Sequence, residues 1–140
     1  LKYALLSKKE RARFPDDVEF KAAFEERPVY LMNSKNKIYI LERFENFGTS
    51  EDKDVYRHCD DGTYSIEHIM PQHLTPVWQK ELGDDYEQIH ELWLHRMANL
   101  TLTAYNSKYS NSSFTEKKTM QNGFDDSGIR MNTWIAKKDK

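Results

Sequence analysis

The sequence contains one cysteine, Cys59, among its 140 residues. A single thiol cannot form a disulfide within the chain, and it cannot supply the cysteine pairs that hold a structural zinc ion. An intracellular protein is the simplest interpretation of this cysteine usage. We therefore expect the fold to depend on the packing of apolar side chains such as Trp78, Trp93 and Leu102.

Long apolar runs and an excess of basic charge are also missing. No stretch approaches the roughly 20 apolar residues that cross a bilayer, and residues 1–6 are too short and wrongly flanked for a signal peptide. The first residue is Leu1 and not an initiator methionine, so we expect a piece of a longer protein. The net charge of −2 gives no global basic field that would indicate a nucleic-acid partner. DNA is not excluded, because a nuclease can bind phosphate through a divalent ion and a local patch.

The composition is that of a globular domain. Hydrophobic residues make up 38% and charged residues 31% of the chain, and the length suits one domain with a real core. The sequence shows no internal repeat, no P-loop and no other nucleotide-binding motif. We divide it into an N-terminal helical part (1–48), a central part (64–120) with a helical insertion (76–98), and a C-terminal segment (121–140).

The N-terminal part is predicted to be helical. Two aspartates can cap a helix over residues 16–26. "NKIYILERFENFG" predicts a second helix that stops at Gly48, although a strand through 37–41 is the alternative because Ile and Tyr favour sheets. The polar, acidic stretch 49–62 is predicted to be a surface connection or mobile loop.

The second half alternates between strand and helix signals, so the predicted fold class is α+β. "YSIEHI" predicts a short strand that ends before Pro71, and "NLTLTAYN" alternates leucine with threonine as a half-buried strand does. "PVWQKELG" and "DYEQIHELWLHRMANL" predict one helix each between the strands. "SSFTEKKTMQNG" predicts a helix with Ser112 or Ser113 as cap and Glu116 near the capping-box position. "SGIRMNTWIAKK" closes the chain as an amphipathic segment.

Two histidine patterns do not predict metal sites. A zinc-protease helix needs histidines at positions i and i+4, whereas His90 and His95 in "HELWLH" are five apart. Five residues turn an α-helix by about 500°, so the two rings point in different directions. We interpret both as surface or half-buried helix histidines, and we interpret His58 and Cys59 as loop residues.

Glu67 and His68 lie side by side at the end of the first predicted strand, where burying them unpaired would be costly. Carboxylate and amide oxygens suit Mg²⁺ or Mn²⁺, and a neutral imidazole can take a proton from water near pH 7. Asn99 begins the second strand, where its amide could hold the loop that carries His68, and Asn106 lies at the turn into the next helix. The alternative is structural: Glu67 and His68 pair with each other, and both asparagines cap turns.

The segment "IEHIMPQ…LHRMANLTLTAYNSKYSNSSFTEKK" resembles the HNH, or ββα-metal, nuclease superfamily. It is more closely similar to the C-terminal nuclease domain of GmrSD-type, modification-dependent restriction proteins. The similarity runs over about 64–118, and the flanking "NKIYILERFEN" and "SGIRMNTWIA" fit it too. It implies a mainly helical α+β domain around a ββα-metal core at 64–120, with a short two-stranded antiparallel hairpin.

The resemblance also implies roles for particular residues. His68 corresponds to the general base and Asn99 to the asparagine that stabilises its loop. Glu67 and Asn106 correspond to the ligands of one Mg²⁺ or Mn²⁺ ion, and no structural zinc is expected. Four further residues are candidates for contact with substrate or phosphate: Asn111, Lys108, Lys117 and His73. Support of a helix start is the alternative for the first and third of these.

The implied function is a metal-dependent DNA endonuclease that nicks or cleaves phosphodiester bonds in a bacterial antiphage restriction system. Its location would be the cytoplasm, with no membrane partner. The implied partners are DNA, for example modified phage DNA, and an N-terminal domain of the longer protein that senses modification and hydrolyses nucleotide. One active site per chain favours nicking, or paired cuts by a homodimer. The alternative is a non-catalytic DNA-binding or protein-interaction module on an HNH scaffold.

Overall fold

The computed structural model describes residues 13–139 and shows an α+β fold. Residues 1–12, which belong to the predicted N-terminal part, and Lys140 lie outside the described range. Along the chain the elements are α1 (Asp17–Glu26), a 3₁₀ turn (Val29–Leu31), α2 (Ser34–Glu45), α3 (Val55–Asp60), β1 (Ser65–His68), α4 (Pro76–Leu82), α5 (Tyr86–Trp93), a 3₁₀ turn (Met97–Asn99), β2 (Leu100–Thr103), α6 (Asn106–Tyr109), α7 (Phe114–Thr119) and α8 (Arg130–Ala136). None of the helices in this range has the length and apolar character needed to cross a membrane.

Both predicted N-terminal helices are confirmed. Asp16 caps α1, where its carboxylate accepts a hydrogen bond from the backbone N–H of Glu19 and the Glu19 side chain accepts one in return. Asn33 caps α2 by accepting from the N–H of Asn36. Residues 37–41 are therefore helical, and Leu41 on this helix is fully buried.

The prediction that 49–62 is only a connection was wrong, because this stretch contains helix α3. Asp54 caps α3 by accepting a hydrogen bond from the N–H of Arg57, and Val55 is fully buried in the core. The Asp54 cap and the buried Val55 side chain stabilise this helix. The many charged residues of the segment had made it resemble a loop. His58 and Cys59 accordingly lie on α3 and not in a loop.

The predicted two-stranded antiparallel hairpin is confirmed. β1 pairs with β2 so that Ile66 faces Leu102, and His68 faces Leu100. β2 differs from its prediction, since all of its residues are buried and not only every second one. The buried amide of Asn132 on α8 accounts for this, because it bonds to the Thr101 hydroxyl and to the carbonyl of Leu102 and holds the helix against the strand.

The helix predicted over "DYEQIHELWLHRMANL" is shorter in the structure. α5 ends at Trp93, a turn follows, and Met97–Asn99 forms a 3₁₀ turn before β2. Trp93 is 40% exposed, so it contributes less to the core than expected, whereas Trp78 and Leu102 are buried as predicted. His95 lies in the turn and is not on a helix, so the helical argument about its direction does not apply.

Two apolar clusters form the core. The first combines side chains from the N-terminal half, from β2 and from the residue before α8: Val29, Leu41, Val55, Leu100, Leu102 and Ile129. The second lies around α6 and α7: Met70, Trp78, Tyr109, Phe114 and Phe124. Ile66 packs on the first cluster and Ile69 on the second. Glu67 and His68 are the two residues where the chain passes from one cluster to the other.

Candidate active site

A cleft of about 250 Å³ opens where β1 ends, beside the start of α6. Its lining includes three residues singled out from the sequence, Glu67, His68 and Asn106, together with the secondary candidates His73 and Asn111. The remaining lining residues are Tyr30, Ile66, Pro71, Gln72 and Ser110. Side chains that are far apart in the sequence, from Tyr30 to Asn111, therefore meet at one small polar site.

Glu67 is buried and ion-paired. It is 3% exposed, and its Oε1 lies 2.6 Å from Nζ of Lys117, which is fully buried. Burial raises the pKa of the Glu67 carboxyl and lowers that of the Lys117 ammonium, while the charge of each partner opposes the shift. The contact occupies Oε1 and leaves Oε2 for the cleft.

The position of Lys117 does not allow the phosphate contact expected from the sequence. Besides Glu67, its ammonium donates to the carbonyl oxygens of His68 at 2.8 Å and Ile69 at 3.1 Å. Three protein acceptors match the three hydrogens of an ammonium, and no part of the side chain reaches solvent. Lys117 therefore fixes the end of β1 from behind, and helix α7, which carries it, is the element that brings it there.

His68, the last residue of β1, packs against two rings. The Tyr30 ring meets it edge-on with centroids 4.3 Å apart, and the His95 ring lies 5.6 Å away. Burial first, and then the nearby His95 and Lys117, lowers the pKa of His68 to about 4, so the imidazole is neutral near pH 7. Its Nε2 is buried and has no hydrogen-bond partner among residues 13–139.

Tyr30 and His95 are site residues that sequence reasoning missed. Their rings stack at 5.4 Å, and the backbone N–H of Tyr30 donates to the carbonyl oxygen of His95 at 3.0 Å. Lys37 secures the pair, because its ammonium lies 4.5 Å from the centre of the Tyr30 ring and donates to the Tyr30 carbonyl. No pattern in a single sequence marks Tyr30, and His95 had been set aside on the assumption that α5 continued past Trp93.

Asn99 uses its whole amide to hold the loop after His68. Its Oδ1 accepts from the N–H of Met70 at 2.7 Å, and its Nδ2 donates to the carbonyl oxygens of Met70 and Leu94 at 2.9 and 3.0 Å. The backbone N–H of Ile69 donates to the Asn99 carbonyl as well. Asn99 is 7% exposed and lies outside the cleft, so it acts on the loop and does not touch what the cleft binds.

Asn106, the first residue of α6, is exposed and lines the cleft. Its Nδ2 donates to the Ile66 carbonyl at 3.1 Å, which turns Oδ1 away from that strand. Asn111 and His73 are exposed residues on the rim. Lys108 is exposed on α6 and does not line the cleft, and its ammonium lies 5.3 Å from the centre of the Tyr105 ring.

The donor set in the cleft is oxygen-rich and incomplete. Within the described range there is no cluster of three or more His, Cys, Asp or Glu residues that could enclose a metal ion. The two ligands expected from the sequence, the Glu67 carboxylate and the Asn106 amide, both line the cleft, and Gln72, Ser110 and Asn111 bring further side-chain oxygens to its lining. Oxygen donors with room for water are typical of a hydrated hard cation and not of a closed zinc site.

Comparison with known proteins gives one family. The model of the GmrSD restriction endonucleases, C-terminal domain, matches residues 14–140, which include every residue of the cleft. A search of curated proteins and a search of solved structures each found no match.

Proposed function

Because the chain belongs to the family of GmrSD restriction endonuclease C-terminal domains, we propose that it is a DNA endonuclease of the HNH, or ββα-metal, type that uses one divalent cation. The family itself implies a nuclease of the restriction-endonuclease kind. The observation that carries the finer proposal is that Glu67, His68 and Asn106 line one cleft. β1, β2 and α6, which position these side chains, would supply the two strands and the helix of a ββα-metal core.

Glu67 and Asn106 would hold the cation. One oxygen of Glu67 is occupied by Lys117, and the Asn106 amide nitrogen bonds to the Ile66 carbonyl, so Glu67 Oε2 and Asn106 Oδ1 are the two oxygens that we assign to the ion. This set suits Mg²⁺ or Mn²⁺, which bind one or two protein oxygens and keep several waters. When bound, such an ion supplies Lewis-acid polarisation of the scissile phosphate and stabilises the leaving oxygen.

His68 would take the proton from the attacking water. Its low pKa keeps the imidazole neutral near pH 7, which is the form that can accept a proton. Since Nε2 is buried, we assign the accepting role to Nδ1, with the ring hydrogen on Nε2. A phosphodiester in the cleft favours the imidazolium that forms, because a nearby negative charge raises the pKa of a histidine.

Asn99 and the two rings around His68 would keep this base in place. Asn99 fixes the backbone of Met70, two residues after His68, and thereby the path of the loop. Tyr30 and His95 restrict rotation of the imidazole. Holding a base at the right distance and angle is worth a large part of the rate that a positioned group provides.

Plasmid nicking by the purified chain tests the proposal. With Mg²⁺ or Mn²⁺ the protein should convert supercoiled to open-circular DNA, and His68→Ala should slow this by about 10²–10⁴-fold if His68 is the base. His58→Ala is the matched control, because His58 lies on α3 and does not line the cleft. Equal rates for the wild type and His68→Ala would overturn the assignment.

We further propose that the chain is the DNA-cutting part of a longer bacterial protein that acts against phage DNA in the cytoplasm. An N-terminal domain would sense the modification and hydrolyse nucleotide, and a homodimer of nicking sites would give a double-strand cut. The isolated chain should then nick base-modified and unmodified DNA at similar rates. A strong preference for modified DNA by this chain alone would place the sensor here and contradict that division of roles.

A further inference from the structure

The cleft contains a carboxylate whose charge is already balanced. Among the described residues that line it, Glu67 is the only acidic side chain. Its partner Lys117 lies 2.6 Å away and is buried completely. A pair of opposite unit charges at this distance presents no net negative charge to an ion that approaches from the cleft.

Lys117 cannot easily leave this position. Its ammonium also binds the carbonyl oxygens of His68 and Ile69, and moving it would leave Glu67 as a buried carboxylate without a partner. Breaking a buried pair by removing one member is strongly unfavourable, whereas a surface lysine would simply swing into water. The balancing charge is therefore a permanent feature of the site in the folded protein.

From this pairing we propose that Lys117 makes uptake of the divalent cation depend on the substrate, so that cation and phosphodiester enter the cleft together. A 2+ ion beside Glu67 and Lys117 lacks an anion that balances it, and the DNA phosphate supplies that charge. The inference rests on the proposed function, because it takes Glu67 and Asn106 as the ligands. It assigns Lys117 a positioning and charge-balancing role and no contact with the reacting atoms.

Titration with Mn²⁺ in the His68→Ala background, which should cleave DNA far more slowly than the wild type, tests the coupling. Binding is followed by calorimetry and by the electron paramagnetic resonance signal of free Mn²⁺, with and without a short DNA duplex. We expect at least about tenfold tighter Mn²⁺ binding when DNA is present, within the usual range of coupling between two sites. DNA should bind more tightly by the same factor when Mn²⁺ is present, since coupling is reciprocal. Equal Mn²⁺ affinity in both titrations overturns the inference.

Lys117→Met in the same background tests the residue. Without the ammonium, Mn²⁺ should bind the free protein several-fold more tightly and the gain from DNA should shrink, whereas unchanged or weaker binding contradicts the role. Lys118→Met is the matched control, because this neighbour bonds to the Lys138 carbonyl and does not line the cleft. If Lys117→Met does not fold, the comparison with and without DNA still decides. Absence of Mn²⁺ binding under every condition would overturn the proposed function as well. Mn²⁺ binding that DNA does not change would overturn only the inference about Lys117.

Discussion

At the scale of single residues, His68 is held by rings. Tyr30 meets its imidazole at 4.3 Å and His95 at 5.6 Å, while its Nε2 has no partner within residues 13–139. Packing of this kind restricts the ring only while both neighbours are present. The orientation of the base should therefore depend on the Tyr30 ring and not on its hydroxyl.

Tyr30→Ala should lower kcat for plasmid nicking by about 10–10²-fold, because a loosened base loses its alignment. Tyr30→Phe keeps the ring and should stay within a few-fold of the wild type. Both are measured by steady-state kinetics, with KM expected to change less than kcat. Tyr39→Ala, at an exposed position on α2, is the control. A wild-type kcat for Tyr30→Ala would show that the ring does not position His68.

Asn99 gives a prediction about stability. In Asn99→Ala the backbone N–H and carbonyl of Met70 lose their partners inside the protein, and an unsatisfied buried group costs about 1–3 kcal/mol. We expect a loss of this size in the free energy of unfolding, measured with urea. Asn36→Ala, an exposed change on α2, should stay within about 0.5 kcal/mol of the wild type. If the two variants are equally stable, water replaces the Asn99 amide without cost.

The sequence predicted which polar residues meet but not what surrounds them. Glu67 and Asn106 were expected to share one ion because the resemblance to HNH nucleases implies both as ligands, and the structure places both on one cleft. Local patterns indicate where strands and helices end, which placed Glu67 at a strand end and Asn106 at the start of a helix. Tyr30, His95 and the inward direction of Lys117 depend on how distant segments pack, and no local spacing encodes that.

At the scale of elements, a buried carboxylate holds the start of α8, in addition to the Asn132 amide that bonds this helix to β2. Glu45 at the end of α2 accepts from the backbone N–H groups of Arg130 and Met131 at the start of α8, and it pairs with Lys53 at 2.7 Å. A carboxylate at a helix N-terminus satisfies free N–H groups and interacts favourably with the helix dipole.

Glu45→Ala should destabilise the fold by about 2–4 kcal/mol, because two charge-assisted hydrogen bonds to the buried Glu45 carboxylate and its ion pair with Lys53 are lost together. Glu45→Gln should cost less, since one amide oxygen can still accept. Urea unfolding of both variants measures this, with Glu51→Ala as an exposed control. A loss below about 0.5 kcal/mol for Glu45→Ala would mean that the Glu45 carboxylate is not needed to hold α8.

Helices were predicted well where the sequence contains capping residues at their start or Gly or Pro at their end. α1 and α7 have complete capping boxes, and the predicted helices at both places are present. α5 lacks such a stop: neither Gly nor Pro follows Trp93 before β2, and the periodicity continued past the true end of the helix. β2 alternates in sequence but is buried on both faces, because α8 supplies a polar partner for Thr101.

At the scale of the whole molecule, stability should depend on pH through the histidines. Burial lowers the pKa of His68 to about 4 and lowers that of His95 too, so the folded protein resists protonation of both. The unfolded chain protonates near the ordinary value of 6.5. Stability from these groups is therefore complete above pH 6.5 and is lost as the pH falls from about 6.5 towards 4.

Glu67 acts in the opposite direction, which makes a comparison of variants necessary. Burial raises the pKa of its carboxyl, so this group favours the folded state as the pH falls and partly offsets the histidines.

His68→Phe keeps a ring in place but cannot titrate. Between pH 7.5 and 5.0 in EDTA, the wild type should lose about 1–3 kcal/mol more unfolding free energy than His68→Phe. Parallel slopes for the wild type and His68→Phe would mean that His68 takes up its proton as readily in the folded protein as in the unfolded chain.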